Sequence, residues 1–216
     1  MDIKTGHMKI IAIGDIHGNY AYLRDILKST TADIYLQVGD LAGDCNYYPD
    51  LEKRVYFVKG NHECFDILEK YSEPTEIQKN LIYIPNGKIV EINGLRIGAL
   101  GGNYSPVSFR KSDDELKGKR RAHITKMDFE RAMNMKNIDI LLTHEAPSPF
   151  IKNGRDVGLS LVTSLLFTLK PKFHFFGHHH VDREIEIFDT KSYCVSTFKE
   201  VEVDVNELEL DANEHG

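Results

Sequence analysis

Short apolar runs recur along the chain, and each one leads into a cluster of polar residues and glycine. The runs are KIIAI, DIYLQV, VYFV, DILL and KFHFF, and the clusters are GDIHGN, GD, GNHE, THEAP and GHHH. Runs of four to six residues rich in β-branched or aromatic side chains and bounded by glycine are typical of buried strands. The pattern therefore predicts at least five strands, each followed by a polar loop.

Segments with helical periodicity separate several of these runs. They are AYLRDILK at 21–28, FDILEKY directly after GNHE, residues 125–135 and the apolar segment 157–170. Thr125 and Asp128 are arranged like a capping box at the start of the third segment, and Pro171 ends the fourth. Strands that alternate with helices in this way predict an α/β layered fold.

Two segments interrupt the alternation and predict antiparallel hairpins. Asn93 and Gly94 lie between two apolar runs within 88–100, which is a strong hairpin signal. Residues 183–197 alternate polar and apolar side chains and contain the turn sequence DTK. Two facing mixed sheets with helices outside would accommodate both kinds of strand. Residues 102–123 are polar and irregular, and we expect a loop there at one rim of the fold.

The length of 216 residues predicts a single domain. We place this domain at 8–198. Residues 1–7 have no apolar pattern, so we expect a disordered N-terminus or a cloning scar there. Residues 207–216 are expected to form an acidic, frayed tail.

Charge and cysteine usage narrow the class of protein. The formal net charge of −6 argues against broad nucleic-acid binding and against a membrane surface, although it leaves room for a small basic patch. No apolar run approaches the ~20 residues of a membrane span, and no signal peptide is evident. The cysteines Cys45, Cys64 and Cys194 are odd in number and lack metal-binding spacing, which favours free thiols in a reducing cytosol. We therefore expect a cytoplasmic protein, and its oligomeric state stays open.

Every polar cluster follows a predicted strand, and ligands of α/β sheets bind outside the carboxyl ends of the strands. We therefore expect one rim to gather the polar side chains of these clusters, which are Asp15, His17, Asp40, Asn61, His62, His144, His178 and His180. Nitrogen and oxygen donors without thiolate suit divalent first-row metals such as Mn, Fe, Co, Ni and Zn. These donors are too many for one ion. Seven of them with one shared carboxylate fit two ions about 3.5–4 Å apart.

The spacing within the clusters supports such a site. Asp15 and His17 are two residues apart, as are His178 and His180, and in extended backbone such pairs share a face. His179 would then point the other way and would not be a ligand. Glycine lets the backbone turn closely around a small site, and one stands in four of the clusters, at positions 14, 39, 60 and 177.

The charge of such a centre indicates an anionic substrate. Two divalent ions, the carboxylates of Asp15 and Asp40 and a bridging hydroxide leave a charge of about +1, since the other ligands are neutral. Metal binding also lowers the pKa of a coordinated water to about 7, which supplies a nucleophile at neutral pH. A phosphate ester fits both properties.

The order GDIHGN, GD, GNHE, a strand that ends in histidine and GHxH resembles the calcineurin-like metallophosphoesterase superfamily. The resemblance runs from residue 8 to about 198. It implies a four-layer α/β/β/α sandwich with two mixed sheets. It also implies two divalent ions, of which Mn, Fe and Zn are the leading candidates. The implied substrate is a small phosphate ester, hydrolysed through a hydroxide that bridges the ions.

The resemblance also implies a role for each residue of the motifs. Asp15, His17 and His180 would hold one ion, and Asp40 would bridge to the second. Asn61, His144 and His178 would hold that second ion. His62 matches the family histidine that contacts the phosphate and protonates the departing oxygen.

The motifs narrow the subclass only in part. Protein Ser/Thr phosphatases carry an arginine in GDxVDRG, where this chain has GDLAGDCNYY. Some small bacterial phosphodiesterases have cysteine in place of His62. RNA debranching enzymes share a strand similar to LRIGALGGNYSP, but their first motif typically has cysteine in place of His17. A phosphodiesterase is favoured over a phosphatase, and the alternative is a non-catalytic metal-binding scaffold on the same fold, as in a retromer subunit.

The insertion at 102–123 is the expected place for specificity. Asn103 and Tyr104 are candidate substrate-binding residues, and Tyr104 has a ring that would stack on a base. The insertion also carries five basic residues, which either contact substrate or form a solvated surface; they are Arg110, Lys111, Lys119, Arg120 and Arg121. We expect His123 and His174 to be structural.

Overall fold

The computed structural model describes residues 6–43 and 47–204. Residues 1–5 of the N-terminal segment expected at 1–7, the tail expected at 207–216 and Cys45 therefore lie outside it. The fourteen strands of the described residues are β1 (His7–Ile13), β2 (Ile34–Gln37), β3 (Val55–Phe57), β4 (Thr75–Gln78), β5 (Leu81–Tyr83), β6 (Ile89–Ile92), β7 (Leu95–Leu100), β8 (Ile140–Thr143), β9 (Ile151–Lys152), β10 (Arg155–Asp156), β11 (Phe173–Phe176), β12 (Arg183–Ile187), β13 (Thr190–Cys194) and β14 (Phe198–Asp204). The α-helices are α1 (Tyr20–Ser29), α2 (Phe65–Leu68), α3 (Lys126–Met133) and α4 (Ser160–Leu169).

Twelve of the strands form two mixed six-stranded sheets. The first sheet has the order β14-β1-β2-β3-β5-β4, and the second has the order β12-β13-β11-β8-β7-β6. Pairs in the middle of each sheet are parallel, whereas β14, β4, β12 and β6 pair antiparallel at the edges. Parallel neighbours bring their carboxyl ends to the same rim, which places the loops that follow them close together.

The two sheets pack face to face around one buried core. Met8, Ile10 and Ala12 alternate along β1 and join this core, where Phe175 of the second sheet also packs. The intervening Ile11 faces the opposite side of the same strand and joins a separate cluster. This period of two, with both faces buried, explains why the β1 segment is apolar at nearly every position.

Helices cover the outer face of each sheet. Leu23, Ile26 and Leu27 of α1 pack with the outward residues of the first sheet. Residues of α3 and α4, such as Ala132 and Leu165, pack on the second sheet. The result is the predicted α/β/β/α sandwich. Among the described residues, no helix combines the length and apolar character that a membrane crossing needs.

Local signals identified several elements and missed others. Asn93 and Gly94 both adopt positive φ in the β6–β7 hairpin, as an Asn-Gly turn requires. Thr125 and Asp128 form the predicted capping box of α3. The turn expected at DTK lies one residue earlier, because Thr190 already pairs with Ile187. The β4–β5 hairpin was not predicted, nor was β14, which continues the first sheet past the expected boundary at 198.

The insertion at 102–123 is not an extended loop. It contains three short 3-10 helices, at Ser108–Arg110, Asp113–Glu115 and Gly118–Ala122. Its two ends meet, because Asn103 and His123 form an isolated β-bridge. One of its basic residues, Arg121, pairs with Asp66 and Glu69 and therefore packs the insertion against α2.

His174 is a fully buried histidine in the second sheet, as expected for a structural residue. Thr143 donates its hydroxyl proton to the Glu145 carbonyl, so its oxygen must accept from His174 Nε2 at 2.8 Å. His174 Nδ1 then accepts from the Ser192 hydroxyl at 3.2 Å. The imidazole is thus satisfied in its neutral form, and burial lowers its pKa to about 3.

We predict that His174 makes the fold acid-sensitive. Below its ordinary pKa of about 6.5 the unfolded chain binds a proton that the native state does not bind until about pH 3. Stability is therefore lost as pH falls from about 6.5 towards 3, by about 2 kcal/mol at pH 5 from this one group. The measurement is urea unfolding of metal-free wild type and His174→Gln at pH 7 and pH 5. Between these pH values the free energy of unfolding should fall by about 2 kcal/mol less in the variant than in wild type. Equal losses in both proteins would contradict the assignment.

Candidate metal centre

Five loops at the carboxyl ends of β1, β2, β3, β8 and β11 meet at one rim and bring the predicted polar side chains together. The loop after β1 carries Asp15 and His17, and the loop after β2 carries Asp40. The other three loops contribute Asn61, His62, His144, His178 and His180.

Asp15, His17 and His180 form one group of donors. Their ligand atoms all lie within 4.8 Å of one another. Asp15 Oδ2 is 3.4 Å from His180 Nε2 and 3.9 Å from His17 Nε2. The two imidazoles stack with ring centroids 5.2 Å apart. The Asp15 side chain is 1% exposed, and burial together with the charge of Asp40 raises its pKa to about 8.

Asn61, His144 and His178 form a second group. His144 Nε2 is 3.0 Å from Asn61 Oδ1 and 3.2 Å from His178 Nδ1. His144 is fully buried, whereas His178 and Asn61 are half-buried. The backbone N–H of His178 donates to both oxygens of Asp15, at 3.2 Å each, which links this group to the first one.

Asp40 lies between the two groups. Its Oδ1 is 3.5 Å from His144 Nε2, and its Oδ2 is 3.8 Å from His17 Nε2. One carboxylate oxygen therefore faces each group. This is the position that a bridging ligand needs, and the assignment of Asp40 as the bridge stays a prediction.

The donor set fits a cation. His144 Nδ1 lies 2.9 Å from the carbonyl oxygen of Val38, which only accepts, so the ring proton is on Nδ1. Burial lowers the pKa of His144 to about 4, which keeps Nε2 unprotonated at neutral pH. The lone pair of Nε2 therefore faces the side-chain oxygens of Asn61 and Asp40. Acceptors that face one another without a proton repel, and a shared cation removes the repulsion.

The backbone at the site corrects the reasoning from extended strands. His17, Asp40, His178 and His180 all have φ between 48° and 67°, in the left-handed region. Alternation along an extended strand is therefore not what brings these side chains to one face. Tight turns do so, with a backbone conformation that non-glycine residues rarely adopt and that is typical of functional sites.

Glycines allow the loops to approach closely. A Cβ at Gly39 would lie 2.6 Å from His144 Nδ1, and one at Gly60 would overlap the Asp40 carboxylate. A Cβ at Gly177 would overlap the Asp15 carboxylate. Each glycine thus leaves room for a candidate ligand of a different loop.

His179 faces away from the centre. Its ring stacks on Phe150 at a centroid distance of 5.1 Å, and its carbonyl accepts from Lys152 Nζ at 2.7 Å. Its Nε2 is buried and has no hydrogen-bond partner within 6–43 and 47–204. The middle histidine therefore packs under the β9–β10 hairpin, while its two neighbours face the centre.

His62 is exposed beside the first group. Its ring centroid is 5.4 Å from that of His17, and its backbone N–H donates to Asp40 Oδ1 at 2.7 Å. This bond fixes the backbone of residue 62 next to Asp40 and leaves the imidazole open to solvent. Such a position suits a group that meets a bound substrate.

Two buried carboxylates support the centre and were missed in the sequence. Glu63 accepts from the backbone N–H groups of Leu41, Ala42 and Gly60 at 3.0–3.2 Å and from the Tyr48 hydroxyl at 2.7 Å. It thereby joins the Asp40 loop to the Asn61 loop. Its position inside GNHE was the available signal.

Glu145 is the second of these carboxylates and follows His144 directly. It accepts from the backbone N–H of Tyr104 at 2.8 Å, so the start of the insertion is anchored next to the centre. Tyr104 and Asn103 are half-buried there. The side-chain oxygen of Asn103 is buried without a partner among the described residues, and substrate contact by either residue stays a prediction.

Comparisons with known proteins assign the chain to a family. A model of the calcineurin-like phosphoesterase family matches residues 8–182, and the chain belongs to this family. The lariat debranching enzyme of Entamoeba histolytica is 26% identical over 204 residues, which cover 82% of this chain and 56% of that enzyme. The Schizosaccharomyces pombe lariat debranching enzyme is 25% identical over 193 residues, 76% of this chain and 42% of the enzyme. The chain thus spans about half the length of these curated relatives.

Solved structures support the fold. A protein of Thermus thermophilus matches with a TM-score of 0.61 at 14% identity, covering 87% of this chain and 88% of that protein. At this level of identity the likeness concerns the architecture alone. Metallophosphoesterases use divalent metals. Candidates to hold them here are the group Asp15, His17 and His180 and the group Asp15, Asp40 and His144, because the ligand atoms within each group lie within 4.8 Å of one another.

We predict that His178 and His180 are metal ligands and that His179 is a packing residue. His179→Phe removes both ring nitrogens while it keeps an aromatic ring on Phe150, so metal content should stay at the wild-type level. His178→Ala and His180→Ala should each lower it by about one ion per chain, because each removes a nitrogen from a different group. Elemental analysis after dialysis against Mn²⁺ or Zn²⁺ measures this. A metal-free His179→Phe protein that is folded by circular dichroism would refute the division.

Proposed function

We propose that this chain is a phosphoester hydrolase that acts on phosphodiesters in preference to monoesters at a centre for two divalent ions, Mn, Fe or Zn. The observation that carries the proposal is the position of Asp40, with one oxygen towards His17 and the other towards His144. Asp15, His17 and His180 would hold one ion with Asp40, and Asn61, His144 and His178 would hold the other. Bound ions would supply Lewis acidity and an activated water.

The residues of the centre favour an anionic group. Asp15 and Asp40 contribute two negative charges, fewer than two divalent ions carry, so the loaded rim is positive although the whole chain has a net charge of −6. His62 is exposed at this rim and is free to reach the substrate. We assign it contact with the phosphate and proton transfer to the departing oxygen.

Two features support a phosphodiester. The relatives named above are lariat debranching enzymes, and the arginine of the protein phosphatase motif is missing after Gly39 and Asp40. The expectation that broad nucleic-acid binding is unlikely rested on net charge alone, and the names of these relatives leave it without support. All seven candidate ligands are present and converge, which favours catalysis over the scaffold alternative.

The proposal is tested with chromogenic esters that share one leaving group. Wild type loaded with Mn²⁺, Fe²⁺ or Zn²⁺ should hydrolyse bis-p-nitrophenyl phosphate faster than p-nitrophenyl phosphate. Asp40→Asn keeps the size of the side chain but removes its charge, so it should lower metal content and reduce kcat/KM at least ~100-fold. Absence of turnover of any ester by a metal-loaded wild type would favour the scaffold.

We predict that His62 matters according to the leaving group. An alkoxide leaves poorly without a proton, whereas p-nitrophenolate leaves as an anion, and general acid catalysis is typically worth about 10²–10⁴-fold. His62→Ala should therefore slow nucleoside or alkyl esters by that factor and p-nitrophenyl esters much less, with metal content unchanged. The matched control is His7→Ala, an exposed histidine at the opposite end of β1. An equal drop in kcat/KM for both leaving groups would limit His62 to phosphate binding.

A further inference from the structure

A cavity of about 370 Å³ lies at the same rim as the metal centre. Lys59 is in its wall and stands two residues before Asn61, and Phe65 is in its wall three residues after His62. Consecutive Cα atoms are about 3.8 Å apart, so the backbone of the cavity wall begins within about 8 Å of the Asn61 backbone. The volume is within the range of small-molecule sites.

Aromatic side chains form one part of the wall. Phe65, Tyr71 and Tyr83 line the cavity, and Arg121 covers one face of the Phe65 ring at 5.7 Å. Tyr83 is only 5% exposed, and its ring packs against Phe57 at a centroid distance of 5.3 Å. A tyrosine hydroxyl both donates and accepts, so a polar group of a ligand in the cavity would form a hydrogen bond with Tyr83.

Polar groups with unused hydrogen-bonding capacity form another part of the wall. The Lys59 side chain is 14% exposed and donates to the Arg121 carbonyl at 3.2 Å, with Asp128 at 3.9 Å. An ammonium has three donors, so one stays free. His123 Nδ1 contacts the Ser108 hydroxyl at 2.7 Å, which leaves its other ring nitrogen for a ligand.

The charges of the wall are balanced. Arg121 pairs with Glu69, and Arg131 pairs with Asp113 and Asp128. Lys59 is also close to Asp128, and Lys88 pairs with Glu73 just outside the wall, so each of the four cations has an acidic partner. The cavity therefore does not concentrate positive charge as a phosphate site would. A neutral, planar group with hydrogen-bonding edges matches aromatic walls and single unused donors and acceptors.

We propose that this cavity binds the nucleobase of a nucleotide-type substrate whose phosphodiester lies at the metal centre. The inference rests on the proposed function and names its substrate class. Lys59 connects the two sites, because its side chain lines the cavity and its backbone leads two residues later to Asn61 of the metal centre. The insertion at 102–123 supplies a wall of the cavity, which gives this segment a role in substrate selection.

The test compares two diesters with the same leaving group. One is thymidine 5'-(p-nitrophenyl phosphate), and the other is methyl p-nitrophenyl phosphate, which has no base. Tyr83→Phe removes one hydroxyl and keeps the buried ring. It should raise KM for the nucleoside diester about three- to ten-fold, the effect of one hydrogen bond, with kcat largely retained. The ratio of kcat/KM between the two substrates should fall by the same factor.

Tyr22→Phe is the matched control, because it removes a tyrosine hydroxyl from the exposed surface of α1. It should leave the ratio at the wild-type value. A Tyr83→Phe ratio that equals that of wild type would overturn the assignment of the cavity. Equal losses on both diesters would do the same, since they would indicate a general structural effect.

Direct binding separates failure of the cavity from failure of the proposed function. Metal-free wild type is titrated with thymidine, adenosine, guanosine and cytidine by NMR, and Tyr83→Phe is titrated in parallel. Binding to wild type that weakens in the variant supports the cavity even where neither diester is hydrolysed. Absence of nucleoside binding together with an unchanged kcat/KM ratio would refute the nucleobase site while leaving phosphodiester hydrolysis intact.

Discussion

The buried carboxylates of Asp15 and Asp40 set the main constraint on this structure. They lie with the histidines in a space that loops from both sheets enclose. Asp40 faces the unprotonated Nε2 of His144 there, and acceptors of this kind repel one another without a cation. The packed core between the sheets holds them there, because the loops follow strands whose side chains are almost completely buried. Rigid strands thus supply the stability that the site itself lacks.

A second layer of buried acidic groups turns this constraint into a defined geometry. Glu63 accepts four hydrogen bonds and joins two loops, while Glu145 anchors the insertion through Tyr104. Burial raises the pKa of Glu63 to about 8, and its four donors act in the opposite direction by stabilising the charged form. The positions of Asp40 and Asn61 therefore depend on a residue that does not face the centre. Substitution of such a group would alter metal affinity without removal of any ligand.

The sequence predicted the parts of the fold that repeat a simple physical pattern. Buried central strands are continuous apolar runs, and α3 begins with a recognisable capping box. In edge strands such as β4 and β14, apolar side chains alternate with polar or charged ones, and neither segment was predicted as a strand. Their pairing is decided by tertiary contacts with β5 and β1, which no local pattern specifies.

The candidate site was likewise predictable in part from the sequence. Chain order placed its donors at one rim because parallel strands point the same way. The alternation of side chains along an extended strand predicted that His179 points away from the centre, and its ring does face away. The argument was wrong, however, because His178 and His180 have left-handed rather than extended backbone. Histidine and aspartate adopt that conformation more often than most other non-glycine residues, but still in a minority of cases, so residue type alone did not reveal the turns. Only the neighbouring loops and the hydrogen bonds to Asp15 define them.

The metal centre by itself would not distinguish one phosphate ester from another. In the proposed function Asp15, Asp40 and the histidines would bind the metal ions, and the ions with His62 would bind the phosphate, a group that every phosphate ester has. Discrimination between esters must therefore come from residues that contact the rest of the molecule. The segments from Lys59 to Phe65 and from Asn103 to His123 lie at the border of the centre and carry the polar and aromatic groups for such contacts. Because the Asn103–His123 bridge and the Arg121 ion pairs fix the insertion in place, these groups are positioned before a substrate arrives.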